Sequence, residues 1–335
     1  SRFDDLIKLV GLPDSTIIEP DPGAEFVYLH PDGSRRSVRV PSHRIRNPLH
    51  MFRVASAFGA SPRKLLGLLT MNLRSALMRG PLLDRQDNVS MLDFLRQHDL
   101  PEPMLHWMTS LMNLFFVVPV DELPVSEAVL TLRAIVAGGA GRYHRGGYGT
   151  VAQAAVEFLE KHGGTWLPAT RVSRIIIDNG RATGIETARG NYYAPVVISN
   201  AGIQPTVLKL TGAQHFPGSY VDRVRALKPS WAFVGVRYDL AKPIFEVPMN
   251  VYFSPESGWD KQRFATAEAG QWPHNPLLFV TVPSLYDPSL ATEDVPQVAL
   301  VGVLGSPDPA SPMNQEAIVQ LEAMVDRLWP DFRQH

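Results

Sequence analysis

An α/β layer joined to α+β regions is the fold class this sequence predicts, and three observations predict it. Strand-rich and helix-rich stretches alternate irregularly, a pattern of neither an all-β protein nor a helix bundle. Proline (29 residues) and glycine (25) interrupt every long helical stretch of the 335-residue chain, which excludes coiled coils, and the glycines keep no collagen-like period. A short continuous apolar run, Val196-Val197-Ile198, follows a helix and a hairpin, as a fully buried strand would. Hydrophobic residues make up 45% of the chain, enough to offset the entropy of ordering two domains or one large one.

Residues 1–141 open with a short charged helix and two strands, 26–29 and 37–40, flanking the turn Pro31-Asp32-Gly33. Helices follow at 49–58, 62–78, 90–98, 103–116 and 126–137, each bounded by Pro or Gly. Ser90 and Ser126 stand where N-caps belong, with Asp93 and Glu127 in the first turns. Residues 142–210 change character. A helix over 150–162 stops at Gly163-Gly164, strands follow at 172–177 and 182–187 around Asp178-Asn179-Gly180, and the apolar run comes after a second turn at Arg189-Gly190. Residues 211–335 carry strands at 232–238, 277–282 and 298–304 and a last helix over 314–328.

Charge narrows the partners. The formal net charge is −1, so no whole-molecule field favours nucleic acid. Without cysteine there is no disulfide, thiolate metal site or cysteine nucleophile. No run of 18 apolar residues suits a transmembrane span; the most apolar stretch, 111–120, contains Asn113 and reads as core or tunnel wall. Residues 34–83, however, hold no acid and ten bases: Arg35, Arg36, Arg39, Arg44, Arg46, Arg53, Arg63, Lys64, Arg74 and Arg79. Leucine, methionine and phenylalanine are interleaved with them. Such a segment either lies on an anionic membrane surface or packs its apolar face on the protein's own core with its arginines in water.

The residues with chemical promise stand in the middle of the chain. Tyr143-His144-Arg145-Gly146-Gly147-Tyr148-Gly149 precedes a helix, so its glycines let the backbone pass close to a planar ligand, or merely turn the chain. Arg171-Val172-Ser173-Arg174-Ile175, then Gly180-Arg181-Ala182-Thr183-Gly184-Ile185, then Val197-Ile198-Ser199-Asn200-Ala201 follow in order. This set resembles the phytoene desaturase, carotenoid isomerase and retinol saturase branch of the amine-oxidase-like flavoprotein superfamily over about sixty residues. Fainter echoes are Phe3-Asp4-Asp5-Leu6, Ser90-Met91-Leu92-Asp93-Phe94-Leu95 and 283–291, from Pro283 through Tyr286-Asp287-Pro288 to Ala291.

The resemblance implies FAD as cofactor and an oxidoreductase, a desaturase, saturase or isomerase, acting on a long apolar polyene. It implies a partial Rossmann-like FAD-binding layer at 142–210 beside a substrate domain of mixed sheet and helices, formed by 1–141 with its helical lid and by 211–335. It makes Gly146, Gly147, Val172, Asn200 and Ala201 candidates for flavin binding, Val172 through its main chain; an ordinary core valine and a turn-forming asparagine are the plainer readings of Val172 and Asn200. Tyr143, His144 and Arg145 become candidates for the substrate wall, with His144 where the family has proline. Leu111, Leu114, Phe115 and Phe116 are candidates for the tunnel lining, and core packing explains those four equally well. No side chain is identified as the acid or base.

The family's Gly-x-Gly-x-x-Gly element is not found, since Gly139-Ala140-Gly141 has His144 where the third glycine belongs, and neither is its second glycine-rich flavin segment. The residues therefore read as an internal portion of such a protein, expected not to hold FAD tightly alone, located in the cytoplasm and peripherally on a membrane. An amine or porphyrinogen oxidase-like flavoenzyme and a flavin-free lipid-binding module are the alternatives. No metal site is expected, because no His-x-x-x-His or Glu-x-x-His cluster occurs.

Overall fold

The computed structural model describes residues 2–40, 54–138 and 143–332. In chain order the elements are α1 (Arg2–Leu9), β1 (Ile17–Ile18), β2 (Ala24–Leu29), β3 (Arg35–Val40), α2 (Pro62–Leu77), α3 (Met91–Arg96), α4 (Glu102–Phe116), α5 (Val125–Gly138), β4 (Tyr143–His144) and α6 (Tyr148–Lys161). Then come β5 (Val172–Asp178), β6 (Arg181–Thr187), β7 (Gly190–Tyr193), a π-helical run (Pro205–Gly212) and α7 (Gly218–Ala226). The last stretch holds β8 (Ala232–Leu240), β9 (Met249–Phe253), α8 (Lys261–Glu268), β10 (Leu278–Thr281), a single helical turn (Pro283–Tyr286), β11 (Gln297–Gly305) and α9 (Pro312–Leu328). The expected helix at 49–58 falls largely outside the described residues.

The chain divides into two compact units. The larger contains Ser1–Ala154 and Ser230–His335, the smaller Ala155–Pro229, with α6 running across the division. In the larger unit a six-stranded sheet has the order β3-β2-β9-β10-β11-β8, antiparallel except where β2 runs parallel to β9. Both faces are covered. Phe26, Tyr28, Val251 and Phe253 pack against Val54, Phe58 and the helices α2 to α5, while the alternate residues Val27, Leu29, Tyr252 and Leu278 pack with Leu321, Met324 and Val325 of α9. Two-sided burial is why β2 and β11 read as nearly continuous apolar runs.

Local rules fix several ends. The Ser90 hydroxyl accepts from the Asp93 N–H at 3.0 Å, the N-cap the sequence suggests, and a cap of this kind stabilises by about 1 kcal/mol. Ser126 is a correction. The helix starts one residue earlier at Val125, and the Ser126 hydroxyl is buried with no hydrogen-bond partner among the described residues. Asn113 sits fully buried in the apolar stretch because its amide is satisfied three times: it donates to the Val118 and Trp259 carbonyls at 2.9 and 3.0 Å and accepts from the Trp259 N–H at 2.7 Å.

The smaller unit is an antiparallel meander, β5-β6-β7, with the π-helical run against β5. The Gln204 side-chain amide donates to the Val224 and Leu227 carbonyls, both at 2.9 Å, tying that run to the end of α7. A second correction falls here. Val196-Val197-Ile198 forms no strand; Val196 is 71% and Ile198 90% exposed. An apolar run becomes a buried strand only when neighbouring strands complete its ladder, and the three strands of this unit pair among themselves.

Candidate functional site

Within the larger unit the glycine turn is held from two sides. β4 pairs antiparallel with β1, setting His144 opposite Ile17, and the Arg145 N–H donates to the Thr16 carbonyl at 2.8 Å. On the other side the Gly146 N–H donates to Asp287 Oδ2 at 2.6 Å. Asp287 is fully buried, and its Oδ1 also accepts from the N–H and hydroxyl of Ser289 at 3.1 and 2.7 Å, with Arg145 Nη1 4.0 Å away. The Ser289 hydroxyl bond first, then the Gly146 N–H, hold the Asp287 carboxyl below the ordinary range.

Tyr143 stacks on Tyr286, with centroids 4.9 Å apart and planes 18° from parallel. Burial pushes the Tyr143 phenol up and that of Tyr286 up to about 12, so both stay protonated at neutral pH. The turn itself requires glycine. Gly146 and Gly147 have φ of 77° and 78°, and a Cβ on Gly146 would lie 2.5 Å from Thr150 Oγ1. His144 is buried, while Arg145 and Tyr148 are largely exposed. Two stretches noted separately in the sequence thus meet, and the residue joining them, Asp287, had no assigned role. Its signal was its place in Tyr286-Asp287-Pro288-Ser289, where an aspartate beside proline caps the turn that follows.

The second feature is a cavity of about 570 Å³ in the helical layer of the same unit. α2 lines it with Leu68, Met71, Asn72, Ser75 and Ala76, residues at helical i, i+3, i+4 spacing, and Arg79 follows just past the helix end. α3 contributes Met91 and Phe94, α4 contributes Met104, Trp107, Met108, Leu111 and Met112, and α5 contributes Val129, Leu132 and Arg133. Five of the ten methionines stand in this wall, where unbranched, polarisable side chains adapt to an irregular apolar guest. Of the four tunnel candidates, Leu111 is in the wall. Leu114 packs against the neighbouring core, Phe115 is 42% exposed, and Phe116 lines a separate shallow hollow with Val118 and Leu123.

In the smaller unit Val172 starts β5, an edge strand that pairs only with β6. Asn200 and Ala201 are exposed in irregular chain. An edge strand presents a row of main-chain donors and acceptors on its outer side. The Gly146 turn closes on the chain's own atoms, so its glycines are accounted for by chain geometry. Among the described residues no group of three or more His, Asp or Glu could hold a metal ion, and no helix is long and apolar enough to cross a membrane.

No family model matches the chain. Among curated proteins it is similar to the all-trans-retinol 13,14-reductase of Homo sapiens, 30% identical over 165 residues that cover 44% of this chain and 26% of that protein. It is also similar to prolycopene isomerase 2, chloroplastic, of an Oncidium hybrid cultivar, 26% identical over 155 residues, 45% of this chain and 24% of that one. The chain thus spans about a quarter of the length of the curated relatives it matches. These relatives bear out the resemblance read from the motifs, to the retinol saturase and carotenoid isomerase branch.

The fold is also that of solved structures. An oxidoreductase from Methanosarcina mazei superposes with a TM-score of 0.69 at 16% identity, over 94% of this chain and 67% of that one. Putrescine oxidase bound to putrescine gives 0.57 at 14% identity, over 96% of this chain and 65% of that one. At such identities the likeness is one of fold, here a mixed α/β fold shared with oxidoreductases.

Proposed function

We propose that the chain belongs to an FAD-dependent oxidoreductase or isomerase whose substrate is a long apolar polyene or isoprenoid, and that the cavity walled by α2, α3, α4 and α5 receives it. The observation that carries this reading is the cavity's lining, twelve of its sixteen residues apolar and none acidic. A volume of about 570 Å³ is in the range of small-molecule sites. The same lining argues against an amine substrate: a cationic amine is held by carboxylates or an aromatic cage, whereas the charged groups here are Arg79 and Arg133. When bound, FAD would supply hydride exchange at a carbon–carbon bond. Val172 through its main chain, with Asn200 and Ala201, would form one flank of the nucleotide; within the larger unit, Gly146 and Gly147 would hold Tyr143, His144 and Arg145 in place. Equilibrium dialysis against retinol, read by polyene absorbance, tests the reading. Micromolar retention unaffected by excess putrescine is the expected result; retention of the diamine with rejection of retinol reverses the assignment.

The reading extends to the membrane. On the face of α2 opposite the cavity, Leu66, Leu69, Leu73 and Leu77 form a stripe 53–63% exposed, on a helix without an acid and with Arg63, Lys64 and Arg74 around it. Arg63 and Lys64 approach Asp99 at 3.9 and 3.8 Å, Lys64 Nζ also donates to the Leu100 carbonyl at 3.2 Å, and Arg74 lies over the Phe94 ring at 5.5 Å. An apolar stripe between bases suits the interface of an anionic bilayer, the source of an apolar substrate. The remaining bases and apolar residues of 41–53 lie outside the described residues. In vesicle sedimentation, Leu69→Asp with Leu73→Asp should cut binding to anionic vesicles more than about tenfold. Binding indifferent to lipid charge, to salt and to this double substitution would end the membrane reading.

A further inference from the structure

The cavity's charged groups sit at one end. Arg133 of α5 donates from Nη2 to the carbonyls of Ser75 and Met78, the latter at 2.7 Å, so its guanidinium is pinned beside the last turn of α2. Arg79 follows Met78 directly and lines the same cavity, as does Ser75. A base at a helix C-terminus has a structural use, since it offsets the partial negative charge of the last carbonyls. That accounts for Nη2 of Arg133 but not for a second arginine beyond the helix end, in a wall whose sixteen residues include no acid. Two guanidinium groups facing an apolar, acid-free space are poor company for a hydrocarbon end and good company for an oxyanion, to which each can donate charge-assisted, paired hydrogen bonds.

Resting on the reading of this cavity as the polyene site, we propose that its ligand is an amphiphile: an isoprenoid carboxylate whose head is seated on Arg79 and Arg133 and whose apolar tail runs along Met71, Met104 and Met108. The arginines then set both the substrate class and its direction in the cavity, head at the α2 end and tail toward α3 and α4. A membrane lipid phosphate offers the same oxyanion chemistry from another source.

The test compares all-trans-retinoate with retinol by equilibrium dialysis on the intact chain, without vesicles. Retinoate should bind at least about tenfold more tightly, and Arg79→Gln should remove most of that preference while leaving retinol affinity within about twofold. Arg133→Gln should do the same, and a thermal melt checks whether losing its bonds to α2 unfolds the chain; Arg79→Gln leaves those bonds intact. Equal affinity for retinoate and retinol overturns the head-group proposal and leaves the polyene cavity standing. Failure to bind either overturns both readings. A retinoate preference that survives both substitutions overturns the role of the arginines. Displacement of retinoate by monomeric short-chain phosphatidate, at equal or lower concentration than by a short-chain carboxylate, assigns the site to a lipid phosphate instead and overturns the carboxylate.

Discussion

Replacing Asp287 with alanine is expected to destabilise the larger unit by about 2–4 kcal/mol and to free the glycine turn from its anchor. The side chain is fully buried, and it is the acceptor for the Gly146 N–H and for both the N–H and the hydroxyl of Ser289. Alanine leaves those donors facing a small void, and an unmet buried donor costs more than the bond itself contributes. Because the turn carries Tyr143, the stack on Tyr286 should loosen as well, lowering the near-ultraviolet circular dichroism. Asp287→Asn keeps the shape but turns an amide N–H toward groups that are themselves donors, so a smaller loss is expected. The pH dependence separates charge from shape. The carboxyl is held below its ordinary value in the folded chain, so its contribution is complete above the unfolded value of about 3.9 and fades as pH falls through the lower folded one. Urea midpoints of the native chain and Asp287→Asn should therefore stay apart from pH 7 to about 5 and converge as pH is lowered below about 4. A gap of constant size down to pH 3 would mean that the ionised carboxylate is not what secures the turn.

Periodicity made most elements legible and topology made the rest invisible. The helices α2, α4 and α9 and the strands β2, β5, β6, β8 and β11 follow from apolar spacing, proline at helix starts and glycine at turns, and the structure places them within a few residues of the expected ends. β9 is missed because five residues after Pro248 carry too little alternation; it becomes a strand by lying between β2 and β10. The opposite error concerns Val196 and Ile198, whose pattern is that of a buried strand although the unit provides no ladder for it. Local chemistry specifies what a segment is able to become, and pairing decides whether it does.

The site divides along the same line. The turn at Gly146-Gly147 is readable because positive φ demands glycine whatever the surroundings. Its anchor, 141 residues further on in sequence, is not readable, because nothing local distinguishes a buried acceptor such as Asp287 from a solvated aspartate. The cavity has a partial signal: Leu68, Met71, Asn72, Ser75, Ala76 and Arg79 already repeat at helical spacing. What spacing cannot reveal is that this face meets empty space while Leu66, Leu69, Leu73 and Leu77 on the other face meet solvent.

Ala76→Trp should abolish polyene retention while hardly changing stability. Ala76 both lines the cavity and is exposed, so it stands on the open side, whereas Leu111 and Met112 are buried deeper in the same wall. An indole at position 76 projects into space already present, so it disturbs no packed neighbour, and an exposed helical site changes stability by about 0.5 kcal/mol or less. The guest, however, must either displace the indole or shorten its own contact with the methionine wall. Losing the contact of even two buried methylenes costs about 1.6 kcal/mol, and a blocked mouth costs far more, so retinol affinity should fall at least about thirtyfold. Ala76→Ser keeps the opening and serves as the control, with affinity close to native. Native-like retinol binding by a correctly folded Ala76→Trp chain would place the polyene elsewhere on the molecule, and the proposed substrate path along α2 would have to be abandoned with it.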